Sequence, residues 1–184
     1  MSGLNDFFFL LLPTETIITL QYYMRSRTAL WFETKIRYEK TMEDGLQKKV
    51  TEAYTVDALS FTEAENSITE EMSSYISGEF EVTDIKKAAY KEVFFSDLNS
   101  DDRWFKAKLQ FITIDEKTAK EKRSNVYYLV QAASLPVAVK HIDEMMGGTM
   151  IDYTIASVAE SPLMDVFEHK VKTTKPAAVP EAGE

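Results

Sequence analysis

The 184-residue sequence contains no cysteine. That excludes disulfides, thiolate metal ligands and a cysteine nucleophile, and it suits a reducing cytoplasm. Histidine is scarce, with only His141 and His169. A Ser/His/acid machine needs nucleophile, base and orienter held together, and no such grouping recurs in both halves of the chain. The chain therefore reads as no enzyme, with no cofactor. An excess of cations is also missing. The formal net charge is -9, which argues against a polybasic binder of nucleic acid or membrane on bulk charge. Nor does the apolar run Phe7–Leu12 suffice for a bilayer: it holds six residues, against roughly 20 for a spanning helix. No Lys or Arg precedes it and no small-residue cleavage site follows, so it does not read as a signal peptide.

What is present is ordinary for a soluble globular chain: 45% hydrophobic and 28% charged residues. Residues 1–30 lack the pattern of the rest and read as a non-core extension. One account is a start miscalled upstream of Met24; the other is a short interfacial or docking segment. Residues 171–184, with Pro176, Pro180 and Gly183 among alanines, read as a disordered tail.

Between these ends the sequence repeats itself. Trp31-Phe32 recurs as Trp104-Phe105, and Lys35 as Lys108. Tyr54, Val56, Ala58 and Ser60 return as Tyr128, Val130, Ala132 and Ser134. Ala64, Ile68, Glu70 and Met72 return as Ala138, Ile142, Glu144 and Met146, and Val93-Phe94 as Val166-Phe167. Thirteen identities in order point to tandem duplication. Residues 31–170 thus read as one domain of two ββαβ repeats, 31–95 and 104–168, joined by an acidic linker.

Each copy reads alike. In the first, Phe32, Thr34, Ile36 and Tyr38 alternate with Trp31, Glu33, Lys35 and Arg37, the period of a half-buried strand. A hairpin returns through Val50–Val56, and through Val126–Val130 in the second copy. Ser60 and Glu63 form a capping box ahead of a helix with the buried stripe Ala64, Ile68, Met72. Ser134 and Pro136 open the second helix, whose stripe is Ala138, Ile142, Met146. A last strand follows, broken near Ala88-Ala89 or Pro162, then a short strand ending in Val-Phe. The expected fold is α+β: antiparallel sheets about a pseudo-twofold axis, two helices on one side, one shared core.

Three groupings bear on function. Asp97, Asn99 and Asp101 fall at the first positions of a calcium-loop pattern, but Asp102 stands where glycine belongs and Lys108 where glutamate does. His141 is matched by Ser67, so it lies outside the shared design, and a half-buried helix position accounts for it. The third grouping is the polar strand face: Trp31 with Lys35 and Arg37, and Trp104 with Lys106 and Lys108. An indole beside two cations, twice over, would suit stacking of single-stranded nucleic acid, unless the indoles are packed on a neighbouring element. The leading expectation is a non-catalytic interaction or accessory module binding a protein partner or itself, with no membrane. Single-stranded nucleic acid bound through the tryptophan faces is the alternative.

The segments Trp-Phe-Glu-Thr-Lys-Ile-Arg-Tyr-Glu-Lys at 31–40, Ala-Leu-Ser-Phe-Thr-Glu-Ala-Glu at 58–65 and Trp-Phe-Lys-Ala-Lys at 104–108 carry a resemblance. So do Val-Tyr-Tyr-Leu-Val-Gln-Ala-Ala from 126 and Met-Asp-Val-Phe from 164. Over about 31–168 the chain resembles an uncharacterised domain-of-unknown-function family of gut Bacteroidetes and their phages. The resemblance implies a phage or mobile-element setting and carries over no activity and no site residues.

Overall fold

A computed structural model describes residues 30–168; the expectations for 1–29 and for the tail lie outside the described residues. The elements are β1 (Leu30–Thr41), β2 (Gln47–Ala58), α1 (Phe61–Tyr75), β3 (Phe80–Lys87), β4 (Glu92–Phe94), β5 (Arg103–Ile114), β6 (Glu121–Ala132), α2 (Leu135–Gly147), β7 (Asp152–Ser161) and β8 (Leu163–Phe167). This is an α+β fold of two similar sheet units, as the repeat implied. The hairpin strands run longer than the apolar stretches that revealed them, because their distal ends are polar and exposed.

Alternation decides what each sheet buries. Phe32, Ile36, Val56 and Ala58 face α1 and its stripe Ala64, Ile68, Met72. Phe105, Ala107, Leu109, Tyr128 and Val130 face α2 and its stripe Ala138, Ile142, Met146. The odd positions of β1 and the even positions of β5 face the other way. There the sheets meet each other through Trp31, Tyr90, Trp104, Leu129, Leu163 and Val166. The order of layers is helix, sheet, sheet, helix: the two helices lie on opposite outer faces rather than together on one side as expected, because the sheets bury their other faces against each other.

Strand order is β3-β1-β2-β8 in one sheet and β4-β6-β5-β7 in the other. The copies have thus exchanged their last strands. Asp165, Val166 and Phe167 lie parallel to Tyr54, Thr55 and Val56, while Glu92, Val93 and Phe94 lie parallel to Tyr128, Leu129 and Val130. Each pair in one set is the repeat equivalent of a pair in the other. Phe167 stacks on Tyr54 with ring centroids 5.9 Å apart and completes the first core. Phe94 meets Tyr128 at 5.2 Å and supports the second. The break before each short strand lets the chain leave the edge held by β3 or β7 and reach the far edge of the other sheet.

The chain breaks where expected, with a bend at Ala89 between β3 and β4 and Pro162 between β7 and β8, and each long strand carries a further irregularity earlier on. Register slips by one residue between Lys35 and Ile36 and between Lys108 and Leu109, which leaves Thr83 and its equivalent Ala156 as the extra residues of matched β-bulges. The first capping box forms as read: Glu63 donates its N–H to Ser60 Oγ at 3.1 Å, and Leu59 donates to Glu63 Oε2 at 2.9 Å. The second differs. Ser134 occupies the N-cap but its side chain makes no capping bond. Instead Ala133 donates its N–H to Asp101 Oδ1 at 2.8 Å, so a carboxylate from the linker does the work of Glu63.

Candidate interaction surface

The six residues singled out on the polar strand face do not form a stacking platform. Trp31 is 9% exposed and Trp104 2%; both belong to the core between the sheets, which corrects the expectation of solvent-facing indoles. A strand face can look polar in sequence and still be buried when only its first residues are covered, as here. The cations are engaged as well. Lys35 lies 3.7 Å from Asp84 and Arg37 3.7 Å from Glu81. Lys106 donates to Glu33 and sits 5.8 Å from the Tyr90 ring centroid, and Lys108 lies 5.9 Å from that of Tyr127.

Glu33 is the hinge of this inter-sheet polar group. Lys106 from the other sheet and Lys86 from β3, at 3.0 Å, share its carboxylate. Burial pushes its pKa up, but hydrogen bonds and charge from the two lysines outweigh that and hold it below the ordinary 4.5. Next to it the Tyr90 hydroxyl shares a 2.6 Å hydrogen bond with Thr55, and burial raises the Tyr90 pKa. These groups tie the two sheets together.

A hollow of about 320 Å³ lies where β4 meets α2, lined among others by Phe95, Ser96, Gln131, His141 and Met145. Beside it are a serine, a histidine and a buried aspartate, which invites comparison with a triad. Their order is wrong for one. Ser96 Oγ donates to Asp101 Oδ2 at 2.5 Å, while the His141 Nε2 lies 3.7 Å from that same oxygen and its Nδ1 3.2 Å from the Gln131 carbonyl. The serine hydroxyl is directed at the carboxylate rather than at the imidazole, so the histidine is not placed to act as its base in the manner of a triad. Asp101, 3% exposed, ties the end of β4 to the start of α2.

The duplication supplies its own control for the surface, because two copies of one fold can be compared position by position. At the distal end of the first sheet stand Glu39, Thr41, Ser77 and Gly78. Their equivalents in the second copy are Ile112, Ile114, Met150 and Ile151. Ile114 is 73% exposed, Met150 105% and Ile151 43%. Gly78 has φ +147, a value glycine alone adopts easily. Position 151 has no such backbone, and the loop is free to carry isoleucine. Ile112 pairs directly with Asp152 in the β5–β7 ladder, which places these apolar residues around the start of β7. Scattered exposed apolar residues are common; three exposed ones beside the half-buried Ile112, all replacing polar residues or glycine at matched positions, are a different observation.

The profile of a family described as Domain of unknown function (DUF4494) matches residues 30–169. The chain belongs to this family. The match spans both copies and the exchanged strands, so the family unit is the duplicated domain rather than one ββαβ repeat. No curated protein matches the chain. Among the described residues, no helix is long and apolar enough to cross a membrane, and no group of three or more His, Cys, Asp or Glu residues is placed to hold a metal ion. The signal for the apolar tip was present in the sequence at Ile112, Ile114, Met150 and Ile151. It lies in positions where the copies differ, whereas a repeat is visible through the positions where they agree.

Proposed function

We propose that this domain is a protein-interaction module, acting by binding rather than by catalysis. The observation that carries the reading is the apolar tip of the second copy, Ile112, Ile114, Met150 and Ile151, where the first copy has Glu39, Thr41, Ser77 and Gly78. The wider setting, an accessory role for a phage or mobile element in the cytoplasm of a gut Bacteroidetes host, rests on the sequence resemblance and on the lack of cysteine. Single-stranded nucleic acid is the weaker reading, since the indoles that would stack on bases are buried.

The test replaces Ile114→Thr and Met150→Ser together, the residues found at the matched positions of the first copy. Both side chains are exposed, so stability should change by about 0.5 kcal/mol at most. Affinity capture from host extract should then lose a protein that the wild-type chain retains. Equal capture by both chains, or capture of nucleic acid alone, would count against the reading.

A further inference from the structure

We infer that the outer edge of β7 docks an extended segment of another protein, one with small or apolar residues at its centre and Lys or Arg at its ends. The inference rests on the interaction-module reading and adds the site and the class of ligand.

An edge strand presents unpaired N–H and C=O groups that template pairing with a further strand, and proteins blunt such edges by shortness, charge, bulges or cover. Among the described residues the two sheets have four edges: β3, β8, β4 and β7. Two are short, β4 with three residues and β8 with five. The third, β3, carries Glu81, Asp84, Lys86 and Lys87 within eight residues. The fourth is β7, ten residues long. At the positions matching the four charges of β3 it has Thr154, Ser157, Ala159 and Glu160, and from Tyr153 to Ala159 it has no charge at all.

The fold does not impose this difference. Strands β3 and β7 occupy the same place in matched sheets, pair with matched partners and carry their bulge at the same residue. Both long edges carry the bulge, but among the described residues only that of the second copy lacks charge along its middle, and the apolar tip adjoins the start of that edge through Ile151 and Ile112. Added strands bind in this way through main-chain hydrogen bonds, with side-chain contacts giving selectivity.

Charge selects the occupant. The uncharged stretch is closed by Asp152 at one end and by Glu160 at the other, the latter 3.7 Å from Arg103. The chain as a whole carries -9. A second copy would bring the same acidic ends and the same net charge to the contact. A segment with cationic ends meets complementary charge instead.

A fluorescein-labelled nine-residue peptide of alternating valine and threonine, with lysine at both ends, probes the edge of the full chain by anisotropy. It should bind, and slow the hydrogen exchange of β7 amides that are not bonded to β5. Glutamate ends, N-methylation of alternate peptide amides, or Ser157→Lys with Ala159→Lys in the protein should each weaken binding about tenfold. Absence of binding, or binding indifferent to these changes, would overturn the inference. So would β7 amides already protected in the free chain at the mass of a dimer, which would place a second copy on the edge. If the tip substitutions abolish binding while the edge substitutions do not, the edge is refuted and the interaction-module reading stands. If host-protein capture is indifferent to the tip substitutions while the peptide still binds the edge, the tip reading fails on its own.

Discussion

Replacing Trp104 by alanine should destabilise both units at once. The side chain is 2% exposed and packs in a cluster with Trp31 and Leu163 of one sheet and Leu129 of the other. A buried tryptophan removes roughly 150–250 Å² from water, which at about 25 cal/mol per Å² is worth about 4–6 kcal/mol. That figure is an upper bound, since an unfolded chain already buries part of the area. The edge-to-face contact with Phe95, at 5.4 Å between ring centroids, adds roughly 0.5–1.5 kcal/mol. Large-to-small substitutions of buried aromatics cost about 3–5 kcal/mol, so a loss of about 4 kcal/mol is expected, with a fall in Tm on the order of 10 °C. Urea unfolding followed by circular dichroism gives the loss, and the fluorescence of the remaining Trp31 reports whether its surroundings unfold in the same transition. A cost below about 1 kcal/mol, or a variant in which one unit melts and the other persists, would refute a shared core.

Acid should expose the carboxylates that hold the sheets. Glu33 and Glu52 both have pKa values lowered from 4.5; for each, burial acts upward and hydrogen bonds from its partners act downward more strongly. Their stabilisation is therefore full above 4.5 and lost as pH falls through the lower folded values. Tm should hold from neutral pH down to about 5 and then drop, and Glu33→Gln should flatten that drop; an unchanged slope would show that the ion group is inert. Phe94→Ala should cost about 2 kcal/mol, the residue being only half-buried, and should speed amide exchange in α2 more than in α1, although Phe94 belongs to the first copy. Phe167→Ala should do the reverse, and exchange changes confined to the mutated copy's own helix would contradict the strand exchange. Asp101→Ala strands the Ala133 N–H and should cost about 1–3 kcal/mol by denaturant unfolding, more than Glu63→Ala at its exposed cap.

Much of the fold was legible because period and repeat are local properties. The alternation from Trp31 to Tyr38, the stripe at Ala64, Ile68 and Met72, and the Ser60–Glu63 box are written within a few residues of each other. The short Val-Phe strands were legible too, but their destination was not. Nothing within residues 92–94 says whether they pair with β2 at home or with β6 across, and that choice is made by tertiary packing. The tryptophan faces misled for a related reason. Trp31 and Lys35 share one strand face, yet the partner sheet covers the first and stops before the second, and the extent of coverage is a tertiary fact. Asp101 as a helix cap was hidden because it lies far in sequence from the N–H it satisfies, and its acidic neighbours suggested a linker.

The central claim is that neither copy is complete without the other, because each sheet takes its last strand from its neighbour. An isotopically labelled fragment of residues 100–170 tests it in one titration against an unlabelled fragment of residues 30–98. Alone, the labelled fragment lacks β4 in its own sheet and leaves β8 without β2, and its amide spectrum should be poorly dispersed. Addition of the first fragment should bring out a dispersed spectrum of the second unit. A well-dispersed, cooperatively folded fragment in the absence of its partner would contradict the claim.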